Sequence, residues 1–125
     1  MIATFDLRIG NWITVSDVIY QVTTVSETKA HFKGHKGGVS QEELHPIPIT
    51  QEILEKAGFK KKEKTDLYDK VPNEGFTYHL YSHKIMIFHG PNNTLCHWLN
   101  TRIVYLHQLQ NFYYCLTGRE ISIYF

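Results

Sequence analysis

Histidine is the first chemistry-bearing feature of the chain: eight are spread over 125 residues, His31, His35, His45, His79, His83, His89, His97 and His107. Imidazole can ligate a metal, carry a proton or stack on a flat ring. A metal needs several ligands converging at signature spacing, such as HxxxH on a helix or paired CxxC. His79 and His83 have the i, i+4 spacing, but they fall in FTYHLYSH, a strand-and-turn pattern. His79, His89 and His97 would converge only if strand register brought them to one sheet face. No metal is therefore expected. Nucleophilic chemistry is weaker still. Cys96 and His97 are adjacent, and neighbours on a strand point to opposite faces. There is no GxSxG elbow, no GxGxxG and no Walker loop. Asp66, Asp69 and Glu74 lie in a charged connector rather than as a catalytic pair. An enzyme is the least favoured class, and no cofactor is expected.

Aromatics and cations remain. Aromatic residues concentrate in the C-terminal part of the chain, and in FTYHLYSH the strand alternation puts Phe76, Tyr78 and Leu80 on one face and Thr77, His79 and Tyr81 on the other. Such residues are core if a helix covers them. Otherwise they form a site for a flat ligand, stacked by rings and hydrogen-bonded by histidine. The candidate ligand set is Tyr78, His79, Tyr81, His89 and Trp98. The glycine-rich loop Gly34-His35-Lys36-Gly37-Gly38 could cradle a phosphate, with Lys36 as its cation. The run Lys60-Lys61-Lys62-Glu63-Lys64 could touch nucleic acid or an acidic partner through Lys60, Lys61 and Lys62. A hairpin turn and a solvated loop are the plainer readings of these two stretches.

These residues need a scaffold. LRIGNWITV, VIYQVTTV and AHF are short β-rich runs separated by Ser16-Asp17, Ser26 to Thr28 and Gly34 to Gly38. Gly10-Asn11 marks a bulge or tight bend. HPIPIT, with prolines at alternate positions, is an edge segment or connector. It leads into a short helix capped by Thr50, stapled by Ile49 and Leu54, burying Ile53, Leu54 and Ala57, and stopped by Gly58. Lys60 to Gly75 reads as a loop-like connector. FTYHLYSH and KIMIFH form a hairpin, Pro91-Asn92-Asn93 a turn, and LCHWL a third strand. A second helix starts at Thr101 and carries the stripe Leu106, Leu109, Tyr113 and Leu116, widened by Tyr105 and Phe112, up to Thr117-Gly118. His107, Gln108 and Asn111 lie off that stripe, facing solvent or bonded to a neighbouring loop. ISIYF closes the chain as a strand.

The expected fold is α+β: an N-terminal barrel-type sheet, a short helix, an antiparallel sheet, a C-terminal helix and a closing strand. It is read as one compact domain over residues 1–125, with subdomains at 1–49 and 50–125. Apolar and charged fractions of 42% and 20% are those of a globular chain, and a net charge of +1 argues against a dedicated DNA binder. No apolar run is long enough to span a bilayer, and MIATFDLRIG is not a signal peptide, so a cytoplasmic location is expected. Cys96 and Cys115 are expected as buried free thiols.

Two resemblances add to this. LRIGNWITV followed by YQVTTV resembles the opening of SH3-like small barrels. LRIGNW, PIPITxxILxKxGF and YLHQLQNFYYCLTGREI, in that order, resemble a family of small proteins of Bacteroides-type gut bacteria and the phages that infect them. That resemblance covers most of the chain. It implies a phage or mobile-element origin, with action in the host cytoplasm, and carries over no catalytic residue. The function expected is non-enzymatic binding of a small planar or nucleotide-like ligand, with sequestration of a host defence signal as its use. The alternative is a protein–protein module or inhibitor of a host protein. Single-stranded nucleic-acid binding stands third, with nucleic acid an unlikely partner, and homo-oligomerisation is compatible with any of these.

Overall fold

A computed structural model describes residues 1–70, 76–89, 95–98, 101–123 and 125; for 87–89 and 95–98 it describes the backbone alone. The fold is α+β, with two antiparallel sheets and two α-helices among the described residues. The chain forms two compact units, one of residues 1–48 with 105–120, the other of 49–104 with 121–125.

The first unit is a curled four-stranded meander in the order β1 (Trp12–Val15), β2 (Val18–Val25), β3 (Lys29–Phe32), β4 (Val39–Ser40). Its turns follow the residue chemistry. Ser16 and Asp17 have φ of 50° and 65°, the two left-handed residues of a tight hairpin turn between paired Val15 and Val18. Gly10 has a φ of 99° and donates its N–H to the Val22 carbonyl at 2.8 Å, the bend anticipated from Gly10-Asn11. Ile13, Val22, Ala30, Phe32, Val39 and Leu44 fill the concave side with Ile2 and Leu7. HPIPIT is the extended connector its prolines dictate, bonded only by isolated bridges, Thr14 to His45 and Pro48 to Tyr105.

Helix α2 (Leu106–Thr117) lies against β1 and belongs to this unit. It does not start at Thr101. The chain before Leu106 is extended, because Leu106 N–H is donated to the Ile47 carbonyl and Tyr105 bridges Pro48. Gln108 then accepts Tyr105 N–H at 3.1 Å, and Gly118 ends the helix with a φ of 71°. Leu106, Leu109 and Tyr113 are buried, but Leu116 is 47% exposed and leaves the stripe. Cys115 is exposed as well, which corrects the buried-thiol expectation. Two positions beyond buried Tyr113, it points roughly 200° around the helix. The side chain of Cys96 lies outside the described residues.

His107 is buried, stacked on Tyr105 with ring centroids 6.2 Å apart. Burial pushes its imidazole below the ordinary histidine range, with the Asp6 carboxylate pulling the other way. The unfolded chain therefore takes up this proton first. The contribution is intact above the unfolded pKa of about 6.5 and is lost as pH falls below it. Urea unfolding of the wild type should show a midpoint that drops between pH 7.5 and pH 5, and His107→Leu should have a shallower drop. Equal drops would remove His107 from the account.

The second unit opens with α1 (Gln51–Lys56), where Thr50 Oγ1 accepts Ile53 N–H at 3.3 Å, Ile49 and Leu54 are both buried, and Gly58 turns the chain with a φ of 89°. A five-stranded antiparallel sheet follows in chain order: β5 (Phe59–Lys61), β6 (Leu67–Lys70), β7 (Phe76–His79), β8 (Lys84–His89), β9 (Leu95–Trp98). The first two strands replace what reads as a charged connector. Phe59 and Tyr68 are buried, and cross-strand Lys60 faces Asp69 in register, so few apolar residues hold this hairpin and charge covers the rest. Residues 71–75, and the turn read at Pro91-Asn92-Asn93, lie outside the described residues. The described residues of the C-terminal ISIYF form no strand. Ile121 and Ile123 are buried as the alternation requires, yet the described residues join no ladder, and Phe125 is half-exposed beneath Lys56 Nζ at 5.5 Å.

Candidate functional site

Register decides which candidate residues meet. Leu67 pairs with His79 and His79 with Lys84, so one row across β6, β7 and β8 carries all three on one face. The next row, Tyr68, Tyr78 and Ile85, is on the opposite face and fully buried. Tyr78 is therefore core and not ligand surface. Its hydroxyl donates to the Ile103 carbonyl at 2.6 Å and sits 2.8 Å from His83 Nδ1. Burial pushes its phenol far up, against an opposing pull from Arg102.

The row ends in two turns. The β5–β6 turn brings Lys64, Thr65 and Asp66; the β7–β8 turn brings Tyr81 and Ser82. Leu80 N–H joins them by donating to the Asp66 carbonyl at 3.0 Å. Between them is an open groove of about 740 Å³ lined by Lys64, Thr65, Asp66, Leu67, His79, Ser82 and Lys84. Tyr81 is 83% exposed with its ring edge-on to His79, centroids 6.3 Å apart. Ser82 N–H donates to His79 Nδ1 at 3.1 Å, and Ser82 Oγ is 2.6 Å from the same nitrogen. That acceptor role puts the hydrogen of a neutral ring on Nε2. The Thr65 hydroxyl is engaged within its turn, donating to the Lys62 carbonyl at 2.9 Å and accepting Leu67 N–H at 3.2 Å.

Both turns place a non-glycine residue in the left-handed region, Lys64 at φ 61° and His83 at φ 57°. For side chains without a local hydrogen-bonding cap this backbone costs about 1 kcal/mol each relative to glycine. Lys64 thus directs an ammonium to the groove at a cost in stability. Lys64→Gly should raise the unfolding free energy by about 1 kcal/mol while removing that cation, and denaturant unfolding checks it. A destabilised variant would mean the lysine serves packing.

The other candidates are dispersed. Lys60 and Lys61 are exposed on β5, and Lys62 pairs with Asp69 at 3.6 Å. Lys36 is exposed in the β3–β4 loop of the first unit, where the His35 N–H is donated to the Phe32 carbonyl. His89 ends β8 paired with Leu95, and Trp98 pairs with Met86; their side chains lie outside the described residues. His35 sits edge-on to Tyr20 and Phe32 at 5.2 and 5.9 Å. Among the described residues no three His, Cys, Asp or Glu side chains converge as a metal site, and no helix is long and apolar enough to cross a membrane. Asp66, Ser82 and Lys84 went unrecognised as site residues in the sequence, and Lys64 was marked only as the end of a basic run, because the four meet only through the pairing of two turns. Compared with protein-family models, characterised proteins and solved structures, the chain shows no match.

Proposed function

We propose that the protein is a non-enzymatic binder of a small, planar, anionic ligand of the nucleotide type. The groove between the β5–β6 and β7–β8 turns is its site. The observation that carries this reading is the groove's make-up: two lysines, a histidine, a serine and a leucine line it, with an exposed tyrosine ring beside them. Among the described residues neither Lys64 nor Lys84 is in an ion pair. Tyr81 and His79 offer ring faces for a base, and the lysines offer charge for a phosphate. The sequence resemblance to proteins of Bacteroides-type bacteria and their phages suggests the use: sequestration of a host nucleotide signal in the cytoplasm. A binder with ligand at one hundred times its Kd gains about 2.7 kcal/mol, so a nucleotide library should give saturable thermal stabilisation. Tyr81→Ala, at an exposed position, should abolish the stabilisation and keep the unliganded melting temperature. Stabilisation that survives in Tyr81→Ala and in His79→Ala would place the ligand elsewhere.

A second reading is favoured by apolar surface on the first unit, where Phe5, Ile9 and Val18 are 87%, 62% and 50% exposed. In that reading this unit docks on a host protein. Pull-down of a partner that is lost with Phe5→Asp, with no small-molecule stabilisation, is its signature.

A further inference from the structure

We infer that the groove selects its ligand by phosphate charge, taking a terminal phosphomonoester between Lys64 and Lys84 in preference to a phosphodiester or an uncharged nucleoside. The inference rests on the groove reading above and adds the class of head group. The two cations come from different elements, Lys64 from the β5–β6 turn and Lys84 from the first position of β8, so they address the groove from two sides. A monoester phosphate presents three terminal oxygens and a charge of about −1.5 to −2 at neutral pH, enough to meet both ammonium groups at once. A diester has two terminal oxygens and a single charge.

Asp66 limits the difference. Its carboxylate lines the same groove, so the three charged side chains leave only a small positive field. A dianion gains about twice what a monoanion gains from the same potential, so the preference scales with the net field that the two lysines build and Asp66 trims. The carboxylate also gives an acceptor for sugar hydroxyls or a base amine, which inorganic phosphate lacks.

The test is amide NMR of the labelled full chain at fixed ionic strength, following Thr65, Ser82 and Lys84. The probes are adenosine 5′-monophosphate, 3′,5′-cyclic adenosine monophosphate and adenosine. The monoester should bind about tenfold more tightly than the cyclic diester, and adenosine more weakly than both. Lys64→Ala and Lys84→Ala should each shrink the monoester preference to about twofold, with the remaining amide spectrum unchanged as the control for folding. Asp66→Asn should tighten both anions and widen the monoester preference. Cyclic nucleotide binding as tightly as the monoester would overturn the inference and leave the groove reading standing. If no probe perturbs these amides at millimolar concentration, both fall.

Discussion

Gln110→Leu should cost about 3 kcal/mol of stability, the largest effect of any single polar substitution considered. Gln110 is 1% exposed on α2, on the side that faces β1. Its Oε1 accepts Trp12 N–H at 2.9 Å, and its Nε2 donates to the Gly10 carbonyl at 3.0 Å. These are backbone groups of the bend that leads into β1, and the Gly10 carbonyl also accepts Gln21 Nε2 at 3.3 Å. Leucine fills similar volume but satisfies neither, and each unsatisfied buried group costs roughly 1–3 kcal/mol. Neighbouring Asn111 extends the same join, accepting from Asn11 Nδ2 at 2.8 Å and donating to the Asp6 carbonyl at 2.9 Å. Arg8 adds an exposed pair with Glu120 and lies 4.2 Å from the Tyr114 ring centre. Urea unfolding should separate the two classes: Gln110→Leu falls far, whereas Glu120→Gln loses about 0.5 kcal/mol or less because its pair is solvent-screened. A Gln110→Leu loss as small as that of Glu120→Gln would contradict this account of how α2 is held.

Tyr78→Phe should cost about 2 kcal/mol and should reach the groove indirectly. The hydroxyl donates to the Ile103 carbonyl, so it accepts the hydrogen of His83 Nδ1. Phenylalanine keeps the ring in the core and leaves a buried carbonyl unpaired. It also releases His83, whose left-handed backbone is held in the β7–β8 turn by His83 N–H to the His79 carbonyl at 2.8 Å and by Ile103 N–H to the His83 carbonyl at 2.7 Å. The turn carries Tyr81 and Ser82, so ligand affinity should weaken a few-fold with the loss of stability. A loss of stability with unchanged affinity would separate the turn from the core tyrosine.

Much of the fold was legible because local chemistry and packing agree there. Thr50, Ile49, Leu54 and Gly58 punctuate α1 as caps and staples should, and Ser16-Asp17 and Gly10 sit where the backbone needs positive φ. The failures share one cause: tertiary partners override local pattern. Thr101 looks like a cap, but pairing of the preceding segment delays the helix to Leu106. Leu116 fits the stripe by spacing, and the described structure leaves it exposed. Ile121 and Ile123 alternate like a strand with no ladder to join. The β5–β6 hairpin was hidden by its charge, since only Phe59, Leu67 and Tyr68 mark it as apolar. The join of α2 to the first unit rests on amides, which have no period.

The site was legible only in part. His79 and Tyr81 were singled out from their strand face and do meet, but Tyr78 beside them is core, since alternation alone does not say which face is covered. Lys60 to Lys64 drew attention as a run, whereas only its last lysine lines the groove, beside Lys84 from two strands further on. A cluster made by register leaves no spacing to read.

The most direct test of the central claim is native mass spectrometry of the wild-type protein and a Lys64→Ala, Lys84→Ala double variant, each incubated with a deproteinised bacterial extract. A nucleotide-sized mass excess on the wild type, lost on denaturation and missing from the variant, is the predicted result. An equal excess on both proteins, or none on the wild type, would contradict the assignment of the groove as a nucleotide site.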